Sequence, residues 1–264
     1  MRLKIIQASL AVVLAALLAA SAGFARLRYT QEPQQELTVS AAISLKDALD
    51  KVAQLYRAER PNTVTHFNLG ASGTLQRQIE QGAPVDIFIS ASEDQMNSLE
   101  SEGLLLAGTR KDLVKNAVVL IVPKGKTGIA SFQDLARPEV KVIAIGEPQT
   151  VPAGKYAQEV LTHYHLYESL KPKLVLGNDV RQVLTYVITG NADAGIVYAT
   201  DVMTTPKVTI AATAPEDSHS PVVYPVAVLK SSKEADEAKR FLDFLNGEKA
   251  KDVFEQYGFK PAGK

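Results

Sequence analysis

The sequence predicts an α/β protein of two lobes, each a mainly parallel sheet flanked by helices. Three observations carry this reading. Strand-like and helix-like segments alternate from about residue 37 to the end, the pattern of parallel strands joined by helical crossovers. The strands outnumber what one small sheet needs. No Pro/Gly/Ser-rich stretch separates two independent domains, so interleaved lobes satisfy both facts.

Taken in order, residues 37–41 read as a strand. Ser44 then opens a helix whose apolar positions Leu45, Ala48, Leu49, Val52, Leu55 and Tyr56 follow the 3.6-residue period until Pro61. Residues 64–67 form a second strand, 72–81 a second helix and 85–90 a third strand. The continuous apolar run 117–122 suits a buried strand. Strands at 141–145, 174–176, 195–198 and 208–212 continue the series, with helices at 152–163 and 180–189 between them. Residues 222–229 make a last apolar strand, broken by Pro225. Two amphipathic helices close the chain, carrying Phe241, Leu242, Phe244 and Leu245, then Val253, Phe254 and Tyr257.

The first residues form a separate unit. Arg2 and Lys4 precede an apolar run, and Ala20-Ser21-Ala22 or Gly23-Phe24-Ala25 offers a small-residue cleavage site, so residues 1–25 read as a secretory signal peptide. An uncleaved anchor is the competing reading, but Gln7 and Ser9 dilute the run and polar sequence follows it. The 264 residues contain no cysteine, hence no disulfide and no thiol for a lipid. A soluble periplasmic protein fits, because a domain of this size can be stable on its core alone.

Charge is balanced, with 29 basic and 29 acidic residues, and no basic stripe suggests nucleic acid. His163 and His165 stand two apart at a helix end, a spacing that does not converge on one ion, and no carboxylate cluster accompanies them. His66 and His219 are isolated, and the acidic pairs Glu93-Asp94 and Glu216-Asp217 read as solvated caps and turns. No nucleophile–base constellation points to an enzyme.

Ser44 and Ser72 each sit where an apolar run gives way to a helical pattern, so each is placed to cap a helix N-terminus. Capping alone accounts for most serines at such positions. Two of them, in the first two strand-to-helix turns and with Gly73 permitting close backbone approach, favour contact with an anion. Pro152 opens a helix whose Ala153 and Gly154 leave backbone N–H groups bare, which serves either loop economy or an anion. Asn178-Asp179 can cap a helix starting at Val180 and Arg181, although an inward Asp179 would repel an anion. Tyr198 ends a strand, where tyrosine packs or donates a hydrogen bond.

These segments resemble a known family. SAAISL, ASGTLQRQIEQGAPVDIFISAS, the VPAGKYA helix start, NDVRQVLTYVITGNADAGIVYATD, EDSHSPVVYPVAVL and FLDFLNGEKAKDVFEQYGF are together similar to the molybdate-binding periplasmic proteins of ABC importers, from about residue 37 to 259. The resemblance implies a two-lobed, Venus-flytrap binding protein of the type whose chain crosses the hinge twice. The lobes would be residues 37–116 plus 222–264, and 117–221. It implies a tetrahedral oxyanion held by Ser44, Ser72, Ala153, Val180 and Tyr198 through hydroxyls and backbone N–H groups. Molybdenum would enter only inside the oxyanion, with no direct protein ligand. No cofactor and no catalytic residue are expected. The expected partners are molybdate or tungstate and a permease with its ATP-hydrolysing subunit on other chains; this chain has no phosphate loop of its own. A monomer is expected. Ile43 departs from the small residue common in the family before the first serine.

Rival readings are a binder of sulfate or another oxyanion, an iron binder, the effector domain of a transcription regulator, and a periplasmic enzyme. Iron needs clustered tyrosines, histidines or carboxylates. A regulator needs a helix-turn-helix where this chain has its leader.

Overall fold

The computed structural model describes residues 34–263. The expected signal peptide, residues 1–25, lies outside the described residues. Two sheets form, each flanked by helices. The first has the order β11-β4-β10-β3-β1-β2, built from β1 (Gln35–Ala42), β2 (Thr63–Gly70), β3 (Ile87–Ile89), β4 (Lys111–Lys115), β10 (Val223–Val228) and β11 (Lys260–Pro261). The second has the order β7-β6-β8-β5-β9, built from β5 (Val118–Pro123), β6 (Ile143–Gly146), β7 (Leu174–Gly177), β8 (Ala194–Tyr198) and β9 (Val208–Thr213).

The alternation of strands and helices predicts parallel pairing, and β1 pairs in parallel with β2 and β3, as β6 does with β7 and β8. Both sheets are nonetheless mixed. β10 runs antiparallel to β3 and β4, and β5 antiparallel to β8 and β9. The antiparallel strands are those that enter a sheet from the other one, without a helical crossover to turn them round. The chain leaves the first sheet through Asn116 and Ala117, between β4 and β5, and returns to it at β10. Asn116 N–H donates to Val222 O at 3.1 Å, which joins the outgoing and returning segments.

Pro225 does not break its strand. The register between β10 and β4 shifts at Tyr224/Pro225, a bulge that absorbs the missing N–H while pairing continues on both sides. Two strands escape the sequence pattern: β4, in which charged Lys111, Asp112 and Lys115 surround two buried residues, and the two-residue β11. A helix at Glu93–Ser101 also appears. Ser92 Oγ accepts from Asp94 N–H at 3.3 Å, so Glu93-Asp94, read as solvated caps and turns, is a helical first turn. Acidic residues there suit the positive end of the helix dipole.

The core follows from burial of the strands. Leu37, Val39, Ile87, Ile89, Leu120, Ile121, Ile143, Ile145, Ile196 and Val197 are fully buried, as expected for strands covered on both faces. Among the described residues no helix is long and apolar enough to cross a membrane.

Candidate functional site

Four helical segments begin at one small cavity. The turn Ile43–Leu45 leading into helix Lys46–Glu59 follows β1, and helix Ser72–Glu80 follows β2. Helix Pro152–His163 follows β6, and helix Val180–Ile188 follows β7. Each starts beyond the carboxyl end of a parallel strand, where open α/β sheets place their ligands. The cavity is lined from the first sheet's side by Ala42, Ile43, Ser44, Gly70, Ala71, Ser72 and Ala91, and from the second's by Val151, Pro152, Ala153, Val180 and Tyr198. All five residues singled out in the sequence therefore meet at one place.

No lining residue carries a charge. The available polarity consists of hydroxyls, helix-start N–H groups and four helix dipoles with their positive ends inward. A wider groove beside the C-terminal helices is lined by Asp112, Lys251 and Glu255, and its carboxylates suit no anion.

The two serines do not act as helix caps, contrary to the simplest reading of their positions. Ser44 lies inside a 3-10 turn, and Ser72 is the first residue of its helix, with Ala71 in the cap position. Neither hydroxyl bonds to its own helix. Ser72 Oγ accepts from Ala91 N–H at 2.9 Å, so its own proton is left for another acceptor. Ser44 Oγ lies 2.9 Å from Tyr224 Oη. Ala153 and Val180 occupy the second and first positions of their helices, where a backbone N–H has no intrahelical acceptor. Asp179 is not among the residues that line the cavity. Its carboxylate accepts from Gln182 N–H at 2.9 Å and caps the helix.

Both glycines of the bare loops prove to be spaced for backbone rather than for ligand. A methyl on Gly73 would lie 2.7 Å from Thr150 O, and Gly73 N–H already donates to that oxygen at 3.0 Å. A methyl on Gly154 would lie 2.1 Å from Gly146 O, and Gly154 N–H donates to Val151 O. Of the pair Ala153-Gly154, only the N–H of Ala153 remains open.

Tyr198 is 1 % exposed, and its hydroxyl has no hydrogen-bond partner among the described residues. Its ring meets Tyr156 and Tyr224 edge-on, with centroids 6.4 and 6.0 Å away. Burial, reinforced by the neighbouring tyrosines and Asp201, holds the phenol well above its usual pKa, so it stays protonated and able to donate.

Charged residues stand just outside. Arg181 Nε lies 2.9 Å from Asp201 Oδ1, and its terminal nitrogen lies 2.8 Å from Asp47 on the helix after β1. Burial lifts the Asp201 carboxyl above its usual range despite Arg181. Lys155 pairs with Asp94, again from one sheet's helices to the other's. His163 closes its helix, and His165 takes a left-handed backbone (φ 57°) just beyond it. Among the described residues no three metal-ligating side chains cluster. Tyr224 and Asn116, which back the Ser44 side of the cavity, were invisible in the sequence. A tyrosine inside an apolar strand reads as core, and an asparagine between two strands reads as a turn.

The family model for bacterial extracellular solute-binding proteins matches residues 37–260. A molybdate-binding protein ModA of Haemophilus influenzae is 40% identical over 241 residues, covering 89% of this chain and 94% of that one. The chain belongs to the ModA-like bacterial extracellular solute-binding proteins. A Bacillus subtilis protein provisionally named as an ABC transporter substrate-binding lipoprotein is 45% identical, covering 86% of this chain and 87% of its own. The solved periplasmic molybdate-binding protein of Azotobacter vinelandii superposes with a TM-score of 0.78 at 27% identity, covering 86% of this chain and all of that one. As a ModA-like protein this chain is a substrate-binding component of an ABC transporter. The family binds a ligand, not a cofactor, and serves outside the cytoplasm.

Proposed function

We propose that the protein captures molybdate, and tungstate equally, in the cavity between its two sheets and delivers it to an ABC importer. The donors are the hydroxyls of Ser44, Ser72 and Tyr198 and the backbone N–H groups of Ser44, Ser72, Ala153 and Val180. The observation that carries this reading is the Tyr198 hydroxyl. A buried donor without a partner costs about 1–3 kcal/mol, and a tetrahedral oxyanion in the adjacent cavity would remove that cost. The names borne by the Haemophilus and Azotobacter relatives support molybdate as the oxyanion.

A buried dianion needs many compensating hydrogen bonds. Each bond to a charged group contributes about 1.5–3 kcal/mol, so about seven give roughly 10–20 kcal/mol gross. After losses of freedom and residual desolvation, a net of about 8–12 kcal/mol corresponds to micromolar to nanomolar affinity. Helix dipoles and neutral donors suffice, and no lysine or arginine need enter the cavity.

The moving units are residues 37–116 plus 222–264, and 117–221. The donors divide between them, so only the closed arrangement offers the full set. The protein acts as a monomer in the periplasm, with residues 1–25 as its export signal; the sequence has no cysteine on which to build a lipoprotein. Competitive calorimetry tests the ligand assignment. Molybdate and tungstate should bind alike, sulfate much more weakly and phosphate scarcely at all. Sulfate displacing molybdate at comparable concentration would reassign the protein to sulfate uptake.

A further inference from the structure

Ser44 can present either its proton or its lone pairs to the cavity, and the groups behind it decide which. Asn116 sits where the chain leaves the first sheet. Its Oδ1 accepts from Ala117 N–H at 2.9 Å, and a backbone N–H can only donate, so the amide cannot be turned the other way. Its Nδ2 therefore faces Thr200 Oγ1 at 2.8 Å and Tyr224 Oη at 3.3 Å, and donates to both. Tyr224 is fully buried. Of the two groups bonded to its hydroxyl, Asn116 Nδ2 can only donate, so Ser44 Oγ, 2.9 Å away, is the one that can accept the phenol's own proton. Ser44 Oγ then accepts from behind, and its proton is free to point forward.

We propose that Asn116 and Tyr224 are positioning residues that act through Ser44, holding its hydroxyl as a donor into the cavity. The same polarity exists across the cavity, where Ala91 N–H takes one of the two lone pairs of Ser72 Oγ and leaves its proton free. Both serines are thereby committed as donors before any ligand arrives. A fully deprotonated tetrahedral dianion matches two committed donors. A hydrogen phosphate ion does not, because its own proton meets no acceptor at either serine. The inference rests on the oxyanion reading above and adds to it the origin of the discrimination between bare and protonated anions.

The test is a double-mutant cycle by calorimetry, titrating molybdate and inorganic phosphate into the wild-type protein and into Tyr224→Phe, Asn116→Ala, Ser44→Ala and the two doubles with Ser44→Ala. Tyr224→Phe removes the proton that holds Ser44, whose oxygen then becomes available as an acceptor. Molybdate affinity should fall roughly three- to tenfold, and the molybdate-to-phosphate ratio should narrow. Asn116→Ala should do the same to a smaller extent, and it provides an independent arm if Tyr224→Phe fails to fold. In the Ser44→Ala background neither substitution should cost further affinity. An unchanged anion ratio, or losses that add in full to that of Ser44→Ala, would overturn the proposal while leaving the ligand assignment intact. A wild-type protein that binds no molybdate would overturn the ligand assignment itself and this inference with it.

Discussion

Gly73 N–H donates to Thr150 O at 3.0 Å, and the space between the two residues holds no side chain. Gly73 lies in the first turn of the helix after β2 in the first sheet, whereas Thr150 precedes the helix after β6 in the second. The contact therefore joins the helical layers of the two sheets beside the cavity between them. Substituting Gly73→Ala would set a methyl 2.7 Å from Thr150 O and 2.9 Å from its Cα. We expect this to obstruct closure and weaken ligand binding by about 1–3 kcal/mol, the usual cost of overpacking. Thermal stability of the ligand-free protein should change little. Gly154→Ala makes the instructive contrast, because its clash with Gly146 lies within one half. There the loss should appear in the melting temperature even without ligand.

Individual donors should behave as charge-assisted hydrogen bonds. Ser72→Ala and Tyr198→Phe should each cost about 1.5–3 kcal/mol in molybdate affinity. Tyr198→Phe should in addition leave the ligand-free protein as stable or slightly more so, since it deletes a buried hydroxyl without a partner. His163→Ala, at a helix end outside the cavity lining, should leave affinity unchanged. Isothermal titration separates these outcomes directly.

The ion pairs Arg181–Asp47 and Lys155–Asp94 join helices of the two halves, and all but the Arg181 side chain are at least one-third exposed. Exposed pairs contribute about 0.2–1 kcal/mol each and weaken with salt. Asp47→Asn should accordingly lower affinity only about two- to fivefold, mainly through faster dissociation. A loss of a hundredfold in stopped-flow or titration data would mean that this pair does more than hold the halves together.

Acid stability should depend on Glu237. Burial by itself would raise its pKa, but hydrogen bonds from Tyr56 Oη (2.6 Å), Thr63 Oγ1 (2.7 Å), Arg240 (2.9 Å) and Arg60 (2.8 Å) outweigh burial and pull it from 4.5 to about 2. A carboxylate depressed in the fold contributes stability that is complete above its unfolded pKa. That contribution is lost as the pH falls from 4.5 towards 2. Glu237→Gln should remove about 2–3 kcal/mol near neutral pH, where Arg60 and Arg240 retain some access to water. It should also flatten the acid limb of a denaturation profile. An acid limb unchanged by the substitution would place the sensitivity elsewhere.

Much of this fold and site was legible in the chain because the signals were local. Helix Pro152–His163 follows from a proline at its first position and a regular apolar stripe, and the buried strands follow from runs such as residues 118–122. The cavity was readable because strand-to-helix turns must converge at the carboxyl edge of a parallel sheet. What stayed hidden depends on long-range pairing. The antiparallel entry of β5 and β10 is a property of the crossings, not of any segment's composition. Ser44 and Ser72 look like caps, yet their hydroxyls turn to Tyr224, 180 positions away, and to Ala91. Gly73 and Gly154 look like loops kept bare for a ligand, and only the packed structure reveals that Thr150 and Gly146 claim the space.

The site can be located outright by crystallising the protein with molybdate and collecting data at the molybdenum absorption edge. The account predicts one anomalous peak in the cavity, with oxyanion oxygens within hydrogen-bond distance of the hydroxyls of Ser44, Ser72 and Tyr198 and the N–H groups of Ala153 and Val180. A peak elsewhere on the molecule, or none at saturating molybdate, would contradict it.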